Sequence, residues 1–256
     1  MPKPLPVLSN LITFTSARLG ALSVFHQNVS GIFAALSSTE QRDFVDKLFA
    51  FRAKLDTQGD DVEFLRSLNL LKPVPTPSDV PRAKAALIDS SNWHLSMCLR
   101  YSTPTRIAEA VPYLEQVIAG HKRNHPDGEV DVTPEMYLGV ALHEQPGQEE
   151  AAIAHFRAAY DAAPDIGDQC NTQIWSRACY SRLLHRLGRE KEALEQDDEV
   201  CSWIVTHPFA MTPSEFRNLV ADPKHEGKNP ILETPDMKEY FGNMMELGPG
   251  MVIHFG

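Results

Sequence analysis

Residues 133–164 read TPEMYLGVALHEQPGQEEAAIAHFRAAYDAAP, and the order of large and small apolar residues in this stretch decides the fold. Thr133 suits a helix N-cap, because its hydroxyl accepts from the backbone N–H groups that a first turn leaves unpaired. Pro134 fits the first helical position, where it removes no hydrogen bond. Met136, Leu138 and Leu142 then fall on neighbouring turns, and Gly139 lets another helix approach closely. The run Glu144-Gln145-Pro146-Gly147-Gln148 breaks the helix. Beyond it Ala152, Phe156, Ala159 or Tyr160, and Ala163 recur every three or four residues, the pattern of one buried stripe, and Pro164 ends the second helix. The stretch predicts a helical hairpin.

Leu138 and Gly139 in the first helix, with Ala152, Phe156, Ala159 and Pro164 in the second, are the residue types found at the consensus positions of tetratricopeptide repeats, and the hairpin resembles that family. Its turn is one residue longer than the family pattern. The small residue of the second helix recurs as Ala110, Ala152 and Ala193, 42 and 41 residues apart. Downstream, Tyr180, Leu184, Gly188 and Ala193 match the end of one repeat helix, its Gly turn and the start of the next, although Asp197 stands where the family places an aromatic. Upstream, Trp93, Leu95, Leu99 and Tyr101 form a candidate first helix, Thr103-Pro104 a turn, and Ala110, Leu114 and Val117 the paired stripe. The resemblance covers roughly residues 88–208 and implies a short α-solenoid with a period near 42 rather than about 34.

Working outward, the expected fold class is all-α: antiparallel helical hairpins stacked as a tetratricopeptide-like solenoid, with an N-terminal helical cap and an irregular C-terminal tail. Strand signals are few, the final MVIHF being the main exception. Residues 1–71 read as an N-terminal helical region, with helices at about 16–36 and 40–55 and a Ser37/Glu40 capping box before the second. Val24, Phe25, Ile32, Phe33, Phe44, Leu48 and Phe51 supply its apolar face. Residues 72–87 read as a Pro-rich linker, because KPVPTPSDVP carries four prolines and resists a regular helix. Residues 209–256 read as short helices and a Met-rich tail that either caps the repeats or contacts a partner or a second copy.

The chain has 256 residues, 43% of them apolar, and a formal net charge of −10. That charge argues against nucleic acid as the main ligand, since phosphate binding rests on clustered Lys and Arg. The compact basic group at His121-Lys122-Arg123-Asn124-His125 reads as a solvated helix end, where cations favour the dipole. No 20-residue apolar run suggests a membrane span. Cytoplasm is the expected location, with mitochondrial import as the alternative, because the first 39 residues hold no Asp or Glu. Cys98, Cys170, Cys179 and Cys201 have no zinc-module spacing; Cys170 reads as a loop residue and the others as helical core. Asp60-Asp61-Val62-Glu63 lacks the spacing of a diphosphate-binding acidic motif and reads as a helix start, and Asp197-Asp198-Glu199 reads as a solvated helix face. No nucleophile elbow or phosphate loop occurs, and sequence alone does not assemble the scattered Ser, His and Asp into a triad.

The reading therefore assigns no catalytic residue, cofactor or metal. It expects a non-catalytic scaffold that binds a peptide or helix of another protein on the first helices of its repeats, with Trp93, Tyr137, Val140, Trp175 and Arg182 as candidate contacts. The alternatives are a small-molecule-binding protein or enzyme on the same scaffold, and a self-assembling subunit joined through the C-terminal tail. The cation clamp by which some tetratricopeptide proteins hold acidic C-termini is not expected, because Met136, Val140 and Leu184 occupy much of the relevant faces.

Overall fold

Capping chemistry and apolar stripes together set the helices of this chain, whose computed structural model describes residues 33, 35–68, 75–124, 132–162, 168–207, 219, 244–248 and 251–254. The fold is helical, with neighbouring helices packed on one another, and divides into two units, residues 1–129 and 130–256.

In the first unit, helix α1 spans Ser38–Gln58. Ser37 caps it: its hydroxyl accepts from the Glu40 N–H while the Glu40 carboxylate accepts from the Ser37 N–H, the reciprocal pair that satisfies two otherwise orphaned donors. Phe44, Val45 and Leu48 are buried and Phe51 half-buried, so the expected face forms, and Phe33 meets Phe44 with ring centroids 5.8 Å apart. Val24, Phe25 and Ile32, with the helix expected at 16–36, lie outside the described residues. Asp61 caps the short α2, Val62–Ser67, by accepting from the Glu63 N–H. After a 3-10 turn at Pro77–Asp79, α3 runs from Val80 to Tyr101 and α4 from Ile107 to Asn124.

Helix α3 occupies the centre of this unit, packed by α1, α2 and α4. Residues 90–99 are accordingly buried on every side, as an internal helix requires. Two polar members of this run are tied to their surroundings: the Ser91 hydroxyl donates to the Leu87 carbonyl, and Asn92 bridges Arg52 of α1 and Gln116 of α4. The helix begins inside the stretch expected to be linker, because Pro81 sits in its first turn, where no donor is missed.

In the second unit, α5 spans Val132–His143, α6 Glu149–Asp161, α7 Asp168–Arg186 and α8 Glu190–Thr206. Helix α5 packs on α6, α6 on α7 and α7 on α8, while α7 also packs on α5. Short connections make successive helices antiparallel, so α5 and α7 run in the same direction. The 144–148 break falls between α5 and α6 as expected, with Gly147 at φ 82°. Helix α5 begins one residue before Thr133, so Thr133 lies inside it rather than at its cap. Ala152, Phe156 and Ala159 have no exposed surface. Ala163 and Pro164 lie outside the described residues, and Cys170 belongs to the first turn of α7 rather than to a loop.

The tail contributes a two-stranded antiparallel ladder, β1 Met244–Gly248 with β2 Met251–His254, in which Met244 faces His254 and Met245 faces Ile253. The strand signal in MVIHF thus has a partner from the methionine-rich segment. The short helices expected after residue 209 lie, Leu219 apart, outside the described residues. Among the described residues, no helix is long and apolar enough to cross a membrane.

Candidate functional site

Helix α5 leaves little of itself uncovered: Thr133, Val140 and His143 are its half-exposed positions, and every other residue in it is buried. On α7, Trp175, Cys179, Arg182 and Arg186 are half-exposed at intervals of four, three and four, which places them along one face. A guanidinium nitrogen of Arg186 lies 3.1 Å from Nδ1 of His143, so the last turns of the two parallel helices meet. Val140 lies one turn before His143, and Arg182 one turn before Arg186. The two helices therefore present Val140, His143, Trp175, Arg182 and Arg186 on a shared face of the second unit.

Within it the Arg182 guanidinium lies over the Trp175 indole, 6.0 Å from the ring centroid, and the π-face favours a cation in that position. A stacked pair of this kind offers flat apolar area together with N–H donors. It can hold and orient a partner, but it carries no group that breaks or makes bonds. Arg177, on the other side of α7, covers the Tyr160 ring at 4.6 Å and pairs with the exposed Glu199 at 3.0 Å.

Of the five candidate contacts, Trp175 and Arg182 meet on α7, and Val140 is half-exposed on the neighbouring α5. Tyr137 belongs to the core of the same unit with 7% of its surface exposed, and Trp93 belongs to the core of the first unit with 2% exposed. Both sit on helices, α5 and α3, but those helices turn both aromatic rings inward.

A polar cluster between α7 and α8 was not foreseen. Asp197 is 4% exposed and Ser181 1% exposed. The Ser181 hydroxyl donates to Oδ1 of Asp197, and Nε2 of His185 lies 2.7 Å from Oδ2. Nδ1 of His185 lies 3.1 Å from Oε2 of Glu190. Burial by itself depresses the His185 pKa, but the hydrogen bonds and charges of Asp197 and Glu190 outweigh it and hold the imidazole above its ordinary value. The trio has the composition of a hydrolase triad without its connectivity, since the hydroxyl donates to the carboxylate rather than to the imidazole, and Ser181 is sealed from solvent. This corrects the reading of 197–199 as a solvated face: Asp198 and Glu199 are exposed, whereas Asp197 is a hydrogen-bonded core residue. A parallel tie joins α5 and α6, where Nδ1 of His155 lies 2.6 Å from a carboxylate oxygen of the buried Glu135.

The first unit carries an open cleft of about 340 Å³ lined by polar residues that include Gln41, Arg42, Asp46, Thr103 and Arg106. Gln41 organises its floor, accepting from the Thr103 N–H and donating to the Phe33 carbonyl, while Arg106 is held in a two-pronged pair by Glu109. Among the described residues no group of three or more His, Cys, Asp and Glu is placed to hold a metal ion. In comparisons with known proteins, no family model, no curated protein and no solved structure matches this chain.

Proposed function

We propose that the second unit is a non-catalytic interaction module of tetratricopeptide-like hairpins, and that the shared face of α5 and α7 receives a peptide or helix from another protein. The observation that supports this reading is the packing of α7 against both α6 and α5, because it sets the half-exposed residues of two first helices side by side. The mechanism is positioning: Trp175 supplies rigid apolar area at low entropic cost, Arg182 directs donors from above it, and Val140 extends the apolar strip. Cytoplasm is the compartment proposed for it.

Site-directed photo-crosslinking tests this reading. A photoreactive aromatic residue is placed at Trp175 in the full-length chain, with a control probe at Glu195 on the exposed side of α8, and both are irradiated in native lysate. One protein joined from position 175, absent from position 195 and lost with Arg182→Glu, is the expected result. Its dissociation constant should rise about thirtyfold with Trp175→Ala, the loss of an anchor worth about 2 kcal/mol. Equal capture from both positions, or none from 175 in folded protein, refutes it.

A further inference from the structure

The turn between α7 and α8 holds one imidazole against two carboxylates, with Nε2 of His185 facing Asp197 and Nδ1 facing Glu190. An ionised carboxylate can only accept, and a neutral imidazole has a single N–H, so the neutral ring satisfies one contact and sets a lone pair against the other. Only the imidazolium makes both. The two acids are not equivalent. Asp197 is buried and also held by the Ser181 hydroxyl, whereas the Glu190 side chain is 64% exposed at the first residue of α8. Loss of the proton therefore keeps the bond to Asp197 and frees Glu190 into solvent.

We propose that His185 is a proton-operated clasp on this turn: as imidazolium it ties the first turn of α8 to the last turn of α7, and as neutral imidazole it releases Glu190 and lets residues 187–189 open. The other charged groups around the turn are committed elsewhere. Arg189 is held by Glu192 of α8 and by Glu150 of α6, and His143 of α5 meets Arg186. The direction of the effect follows from the raised His185 pKa. The clasp contributes fully below the unfolded value of 6.5, and its contribution is lost as pH rises through the higher folded value. It operates whatever partner the second unit binds.

An imidazole titration by NMR on the full-length chain tests the clasp, with His185→Gln assigning the resonance by its disappearance. The wild-type midpoint should lie above 6.5, and Glu190→Gln, a change at an exposed residue, should lower it while leaving the helical circular dichroism intact. Amide exchange gives a second readout at Leu187, Gly188 and Arg189, whose N–H groups donate to the carbonyls of Leu183, His185 and Leu184. After correction for base catalysis, their exchange should rise about tenfold between about pH 6 and 9, the loss of one charge-assisted hydrogen bond. A midpoint at or below 6.5, a midpoint that Glu190→Gln leaves in place, or pH-independent exchange at these three amides overturns the proposal. Should His185→Gln fail to fold, Glu190→Gln carries both readouts.

Discussion

Gly139→Ala sets two effects of opposite sign against each other within one residue. In the middle of a helix this change should stabilise by about 1 kcal/mol, because Ala forfeits less backbone freedom on folding than Gly. A Cβ at position 139, however, would lie 2.6 Å from Cδ1 and 2.7 Å from Cε1 of Phe156. The Phe156 ring has no exposed surface and meets the His143 ring edge-on, with centroids 6.3 Å apart. It is rigid and enclosed, so α5 and α6 must separate to admit the methyl group. Overpacking of this kind costs about 1–3 kcal/mol, which leaves Gly139→Ala less stable than wild type by about 1 kcal/mol. Urea unfolding followed by circular dichroism measures it. Phe156→Ala alone should cost about 3–5 kcal/mol. With the ring gone the methyl meets open space, and Gly139→Ala should then recover its gain of about 1 kcal/mol. The two changes are therefore coupled by about 2 kcal/mol, against the ~0.3–0.5 expected of independent sites. A Gly139→Ala protein more stable than wild type, or a double mutant whose cost is the sum of the single ones, would refute this account of why glycine stands there.

Other expectations concern buried groups. Burial holds the His94 pKa down to about 4 from 6.5, against the opposing hydrogen bond that its ring donates to the Ser90 carbonyl. The unfolded chain takes up that proton first, so the associated stability is present above pH 6.5 and is lost as pH falls toward 4, roughly 3 kcal/mol in all. His94→Leu should flatten this acid limb in urea titrations run at neutral and acid pH, and an unchanged limb contradicts the assignment. Asp197→Ala strips His185 and Ser181 of their shared acceptor and should destabilise by about 3 kcal/mol, while Asp198→Ala, one residue on and exposed, should stay within about 0.5 kcal/mol; similar melting temperatures for the two variants would count against the buried cluster. Burial pushes the Cys98 thiol far above its ordinary range, so it should react with a disulfide reagent only as the protein unfolds. Half-buried Cys179 and Cys201 should label earlier, and prompt labelling of Cys98 in native protein would contradict its burial.

Periodicity made the helical fold legible. The 144–148 break, the Ser37/Glu40 cap and the stripe Ala152-Phe156-Ala159 are local signals, each dictated by a few neighbouring residues, and the helices follow them. Helix starts were harder to read where proline has two meanings. Pro81 looks like a breaker inside KPVPTPSDVP, yet in a first turn it costs nothing, so α3 begins within the expected linker. The change of unit near residue 130 was not read, because one repeat resemblance was carried across it from 88 to 208. The candidate site was only partly legible. Spacing places Val140, Trp175 and Arg182 on first helices, but spacing does not say which side of an aromatic residue's helix is covered, and Trp93 and Tyr137 point inward. The polar cluster escaped for a related reason: Asp197 has acidic neighbours at 198 and 199, and composition alone reads all three as solvated. What distinguishes it is its place on the core stripe with Ala193, Val200 and Ile204, opposite Ser181 and His185 one turn apart on α7.

That buried carboxylate also bears on how α7 and α8 find their alignment. Apolar stripes are forgiving, because a helix that slides by one turn, about 5.4 Å, still sets apolar surface against apolar surface. Asp197 is not forgiving. Sliding α8 by a turn would carry its charge away from both Ser181 and His185 and strand it in a dry interior, a penalty of several kcal/mol. An aromatic side chain at this position would add volume but would not discriminate between alternative alignments. Replacing Asp197 and His185 together with well-packed apolar residues should therefore yield a hairpin no less stable than the natural one but less particular about its register. Such a replacement would erase the feature that fixes the alignment of α7 and α8.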